Sequence, residues 1–148
     1  MTLYRLLHGQ VWYGEAPDPR DIVPNGGFAD TLRWLPHIPK AWRRVIRKML
    51  NDDDAARYQN AAQALKALAN VPTLPLWETK VTTDLARWEQ VRGKRRILVE
   101  WKRLSARKHE WQAWSEPAAA GQNKRLAGSG GVVGRGDAVK GLEAFFGV

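Results

Sequence analysis

Residues Pro39 to Leu68 read PKAWRRVIRKMLNDDDAARYQNAAQALKAL. In the first part Trp42, Val45, Ile46, Met49 and Leu50 recur at i, i+3, i+4, i+7 and i+8. That is one apolar stripe at the 3.6-residue period, and Arg43, Arg44, Arg47 and Lys48 take the opposite side. Pro39 suits the first helical position, where a missing N–H costs nothing. The acidic run Asp52, Asp53 and Asp54 then breaks the pattern, and Arg57 follows it. A second helix is signalled by Asn60 as N-cap with Gln63 three residues on, a capping-box spacing. Its stripe would be Ala61, Ala62, Leu65, Leu68 and Ala69, and Asn70 with Pro72 ends it. The stretch predicts two short helices joined by an acidic turn, with Arg57 in the corner. Such spacing specifies packing and declares no reaction.

Outward from this pair, residues 2–8 read as a helix end with Leu3, Leu6 and Leu7 apolar, stopped by Gly9. Residues 14–31, rich in Pro, Gly and Asp, read as a loop. Phe28, Leu32, Trp34 and Leu35 are the large apolar groups that would dock it on the helices. Residues 71–79 read as an extended linker, since Pro72 and Pro75 bias their predecessors away from helix. From residue 81 the period changes. Leu85 to Val91, Arg96 to Leu104 and Lys108 to Ser115 are separated by Arg92-Gly93-Lys94 and Ser105-Ala106-Arg107. Ile97, Val99 and Trp101 alternate with Leu98, Glu100 and Lys102, and His109, Trp111 and Ala113 with Glu110, Gln112 and Trp114. Period two with short turns predicts an antiparallel meander. A helical stripe through Ile97, Trp101, Leu104, Lys108 and Trp111 competes, but Gly93 and the β-branched and aromatic content favour strands. Residues 117–136 read as loop. A final helix capped by Asp137 would lay Ala138, Leu142, Phe145 and Phe146 on the sheet. The expected class is α+β: helices over 1–71, a linker over 72–84, and a basic β-meander with a C-terminal helix over 85–148.

The 148 residues contain no cysteine, which excludes disulfides, thiol catalysis and Cys-based zinc or iron–sulfur sites. No run approaches the ~20 apolar residues of a membrane span. The N-terminus lacks the pattern of a secretory leader, so a cytoplasmic setting and no membrane association are expected. The net charge is +9. Residues 1–77 hold ten basic and seven acidic side chains, and residues 78–148 hold fourteen and eight. Much of the excess lies between Arg92 and Lys108, where Glu100 is the single acid.

The order of an amphipathic helix, Met-Leu, an acidic turn, Arg-Tyr and a short helix ending in Leu resembles the end of the large lobe of bacterial, eukaryotic-like serine/threonine protein kinases. The segment Thr2-Leu3-Tyr4-Arg5-Leu6-Leu7-His8-Gly9-Gln10 is similar to that lobe's central helix and its Gly-containing exit. The resemblance covers about the first half of the chain. It implies a buried arginine at Arg57, paired with a glutamate of the activation segment. Two positions depart from the family pattern. The family has proline where Asp54 stands and a Pro-Phe pair near Trp12-Tyr13. No catalytic site comes with the resemblance. Phosphoryl transfer needs a Gly-rich loop, a strand lysine, a His-Arg-Asp catalytic loop and an Asp-Phe-Gly metal ligand. None of these strings occurs. Ala16-Pro17-Asp18 looks like the end of an activation segment but lies after the Leu-Leu-x-Gly segment, so it reads as loop.

The remaining motifs are weak. Residues 129–136, SGGVVGRG, lack the Gly-Lys-Ser/Thr ending of a phosphate loop and the glycine spacing of a dinucleotide fingerprint. His8, His37 and His109 have no metal-ligand spacing. The three consecutive aspartates suit a charged turn, or partners for Arg57, better than a catalytic pair. No cofactor is expected. Two functions remain. One is a non-catalytic binding or regulatory module, or a kinase fragment, with Arg57 and Trp42 structural and the exposed helical faces seeking a protein partner or a second copy. The other is a nucleic-acid-binding adaptor. It would track phosphates with Arg95, Arg96, Lys102, Arg103, Arg107 and Lys108 and stack a base on Trp114, while Trp88, Trp101 and Trp111 form the inner face.

Overall fold

A computed structural model describes residues 1–148. The chain divides into two compact units, Met1–Leu74 and Pro75–Val148. The first is helical and the second is a five-stranded antiparallel sheet with a C-terminal helix, so the class is α+β. The boundary lies inside the segment read as a linker. No helix is long and apolar enough to cross a membrane.

The first unit starts with α1 (Thr2–Tyr13), broken at Gly9, whose φ of +75° and ψ of 169° are open to glycine and strained for any other residue. Gly9 thus ends the first helical arm where the sequence reading put its stop, and a second short arm follows in a new direction. Its buried face is Tyr4, His8 and Trp12, an i, i+4, i+8 row, whereas Leu6 is 74% exposed. Leu3 and Leu7 are half-buried beside this row, whose aromatics also carry polar handles that reach the next segment. The Tyr4 hydroxyl and Trp12 Nε1 (2.9 Å) both donate to the Arg33 carbonyl. The segment read as unstructured loop holds three helical turns, α2 (Pro19–Ile22), a 3-10 turn (Val23–Asn25) and α3 (Phe28–Thr31). Phe28, Leu32, Trp34 and Leu35 are buried, so the loop docks where the sequence reading put it.

α4 (Lys40–Met49) begins one residue after Pro39, which takes the cap position instead of the first helical one. Val45 and Ile46 are buried, while Trp42, Met49 and Leu50 are half-buried. α5 (Ala61–Ala69) is capped as expected, with the Asn60 side chain accepting from the Gln63 N–H at 2.9 Å. The other half of the box shifts by one residue, since Gln63 Oε1 accepts from the Gln59 N–H (3.1 Å). The expected stripe on α5 is not covered. Ala64, Ala67 and Leu68 are its half-buried side, and Ala61, Ala62, Leu65 and Ala69 are exposed.

The second unit has strands β1 (Glu78–Val81), β2 (Leu85–Arg92), β3 (Arg95–Arg103), β4 (His109–Pro117) and β5 (Lys124–Gly128), in the order β1-β2-β3-β4-β5. β2 to β4 follow the period-two reading, and the helical alternative is excluded. The Arg92–Arg95 pair closes a two-residue turn in which Gly93 has φ +58°, the left-handed region such turns require. β1 and β5 correct the sequence reading, which gave linker and loop there. The inner face carries Ala86, Trp88, Ile97, Val99, Trp101, Trp111 and Ala113, all buried. α6 (Arg135–Phe146) covers it with Ala138 and Leu142, both fully buried. Phe146 meets Trp88 edge-on at 5.3 Å and Phe145 lies 6.2 Å from Trp111. Asp137 sits in the first turn of α6, and Gly134, not Asp137, is the cap residue. A Cβ on Gly141 would come within 2.9 Å of the Trp111 ring, so that glycine lets helix and sheet close.

Candidate functional site

The α4–α5 corner is held by three aspartates with three different tasks. Asp52 Oδ2 accepts from the Gly27 (2.5 Å) and Phe28 (3.1 Å) N–H groups and so fastens the start of α3 to the end of α4. Asp53 accepts from the Ala55 N–H at 2.9 Å. Asp54 pairs with Arg57 at 2.7 Å. The Arg57 Nε also donates to the Asn51 carbonyl (2.5 Å), just past the end of α4. The guanidinium thus lies in the corner, but its side chain is 42% exposed and its acid partner is in its own turn. The resemblance had implied burial against a distant glutamate. Trp42 Nε1 donates to the Pro72 carbonyl at 2.8 Å and ties the end of the unit to α4. Beside the corner lies an open hollow of about 460 Å³, lined by Arg47, Lys48, Asn51 and Asp52 among others. The apolar residues of α5 stand on the outside of this corner, and Leu65 is 65% exposed.

The basic run of the second unit does not make one stripe. Strand alternation sends Arg95 and Arg103 to one side of the sheet and Arg96 and Lys102 to the other. Arg95 clasps Ser115 Oγ (3.0 Å), the Ser115 carbonyl (2.9 Å) and the Gln122 carbonyl (3.3 Å). Arg103 donates to the Thr82 carbonyl at 2.6 Å. Arg96 bridges Glu89 (3.2 Å) and Glu116 (2.8 Å). Glu116 also accepts from Trp114 Nε1 at 2.8 Å. The Trp114 and Arg96 hydrogen bonds hold the Glu116 carboxyl below the usual range, and Glu116 in turn raises Arg96. Trp114 is half-buried on the outward face, in the row Glu89, Leu98, Trp114, Arg125. Lys102, Arg107 and Lys108 remain exposed near the β3–β4 turn. They stand at the opposite end of β4 from Trp114, so the expected set of cations and ring does not converge.

Each histidine has its own setting. His8 is buried between Tyr4, stacked at 4.1 Å, and Trp12, with Nδ1 2.7 Å from the Tyr4 carbonyl. Burial lowers its pKa to about 4. His37 is lowered to about 3, by burial first and then by the charges of His8 and Arg43. His109 accepts from Trp101 Nε1 at 3.2 Å, which leaves its proton on Nε2, and burial lowers it too. No group of three or more His, Asp or Glu side chains gathers as a metal site. The Gly-rich segment extends the sheet: Val133 exchanges both backbone hydrogen bonds with His109, and Ser129 donates to the Trp111 carbonyl. Asp137 in the first turn of α6 sets a carboxylate where an anion would otherwise be welcome.

Sequence reasoning missed the Asp52 fastening, because its partners lie 24 and 25 residues away. It also missed the charge pattern on β1, which it read as linker. Comparison with protein-family models, with curated proteins and with solved structures gave no match.

Proposed function

We propose that this chain is a non-catalytic binding or regulatory module whose helical unit derives from the end of a serine/threonine-kinase large lobe. The observation that carries the reading is the uncovered apolar side of α5, with Leu65 standing out and Ala61, Ala62 and Ala69 beside it. Exposed apolar patches on small domains mark interaction sites. The resemblance of the α4-turn-α5 segment supports the origin, and Arg57, 42% exposed in the corner, supplies a cation for an acidic group of the partner. The covering segment would come from the same polypeptide or from a second one. The catalytic strings of phosphoryl transfer do not occur in the sequence, and no step is assigned to the chain. Isothermal titration with Mg-ATP is expected to give no binding heat, and micromolar binding would overturn the reading. An apolar dye such as ANS is expected to bind the native chain and to lose about half its signal in Leu65→Glu. Unchanged dye binding would remove α5 as the interaction face.

The exposure of Lys102, Arg107 and Lys108 favours a second reading, weak nucleic-acid binding. Three neutralised phosphates on a single strand would give a log–log salt slope of about −2. No oligonucleotide binding at low salt would eliminate it.

A further inference from the structure

We propose that two copies of this chain pair through the β1 edge, antiparallel and centred on Thr79, to form one continuous sheet across a two-fold axis. Within one copy, β1 and β2 face each other with unfavourable charges. The β1–β2 register sets Glu78 directly opposite Glu89 and Lys80 directly opposite Arg87. Like charges facing each other across strands destabilise a sheet. Arg96 bridges from Glu89, and Glu100 accepts from Arg87 at 3.4 Å. Glu78 and Lys80 are exposed and engage no ion pair, so one edge strand ends in a bare acid and a bare base.

The backbone decides which residues face a newcomer. Thr82 N–H donates to the Leu85 carbonyl, so the even-numbered positions of β1 turn their hydrogen-bonding groups towards β2. The odd-numbered positions, Trp77, Thr79 and Val81, turn theirs outward, and β1 has a strand on one side only. An antiparallel second copy can therefore pair odd with odd. Centred on Thr79, Trp77 meets the second copy's Val81, and Glu78 meets the second copy's Lys80, twice by symmetry. Each carboxylate pair then abuts a cation pair, which removes both unfavourable arrangements at once. A shift of two residues one way sets Glu78 against Glu78, and the other way Lys80 against Lys80. A shift of one residue turns the inner face out. Charge thus selects a single register. The opposite edge behaves differently: β5 carries Lys124 and Arg125 and no acid, so two β5 strands would repel. On the outward face Leu76, 71% exposed, would come to lie opposite the second copy's Thr82. This pairing is separate from the α5 face and does not depend on it.

The test is sedimentation velocity on the full chain across a concentration series. Wild type is expected to dimerise with a dissociation constant of about 10–100 μM, as small transient interfaces do. Glu78→Lys and Lys80→Glu each relieve a like-charge pair inside one copy, so neither should lower the melting temperature. Each should nevertheless weaken the dimer about tenfold or more. Mixing the two variants should restore a one-to-one dimer, and the double variant should pair with itself. Leu65→Glu should leave the dimer intact. A wild-type chain that stays monomeric at several times that concentration overturns the proposal. So does a dimer that the single variants leave unchanged, or one that Leu65→Glu abolishes.

Discussion

The two units solve the same problem, fixing a short chain in one shape, with different bonds. The helical unit is tied by side chains that reach backbone carbonyls and amides far along the chain: Tyr4 and Trp12 to Arg33, Trp42 to Pro72, Asp52 to Gly27 and Phe28. The sheet unit is tied by its own ladders, and its side chains mainly fill the space between sheet and α6. The first unit therefore adds long-range polar ties to its buried core of Phe28, Leu32, Trp34, Leu35, Val45 and Ile46. In the second the strand ladders and the packing against α6 carry more of the load, with Arg95 and Arg103 as the side-chain ties.

The largest break in that contrast is expected at the sheet's centre. Trp101 is fully buried, faces Trp111 across β3 and β4, and donates to His109. Trp101→Ala should destabilise the second unit by about 3–5 kcal/mol, the range for an emptied aromatic site. Loss of hydrogen-exchange protection across residues 85–117 would report it. A change below about 1 kcal/mol would mean that the core is not packed as described.

Acid should act next, and mainly on the helical unit. His8 and His37 are held neutral in the fold, with pKa values of about 4 and about 3. Both lie below the ordinary histidine value, so their contribution is complete above pH 6.5. It is lost as pH falls from 6.5, towards 4 for His8 and towards 3 for His37, because the unfolded chain takes up protons first. Each histidine should remove about 1.4 kcal/mol per pH unit in that window. Urea midpoints of the helical unit, followed by exchange over residues 1–74, should drop accordingly. His8→Phe should flatten the slope, and an unaltered slope would reassign it. His109 adds a change of the same sign to the sheet unit.

The smallest effect sharpens the comparison. Asp52→Ala removes one carboxylate that serves two amides, and should cost the helical unit about 1–2 kcal/mol, as lost caps do. Exchange protection should fall first at Gly27 and Phe28. No change there would show that the α3 start is held by burial of Phe28 alone.

This division also explains what could be read in advance. β2, β3 and β4 were legible because their inner faces alternate in Trp, Val, Ile and Ala, although Leu98 on the outward side of β3 is fully buried as well. β1 and β5 were not, since an edge strand needs only one neighbour and tolerates Glu, Lys, Arg and Gly. The stripe of α4 was legible at Val45 and Ile46. The stripe of α5 misled, because periodicity marks the side able to be buried and not whether anything in the chain covers it. On α1, greasiness pointed to Leu3, Leu6 and Leu7, while the row Tyr4, His8, Trp12 at a spacing of four held the better signal. Among the candidate site residues, strand geometry scattered the cations that looked contiguous in sequence. The carboxylates that engage Arg96 and Trp114 lie on neighbouring strands or two places along.

Gly9 carries a consequence for how this chain can vary. In a straight rod, Tyr4 and Trp12 would stand about 12 Å apart along the axis, too far to share one acceptor. The bend at position 9 swings the second arm back, so both rings grip the same oxygen of Arg33. Any side chain there is strained at φ +75° and so weakens the bend that holds the grip. The cost of replacing the smallest residue of the segment is therefore conformational, since nothing lies within 4 Å of a Cβ built there.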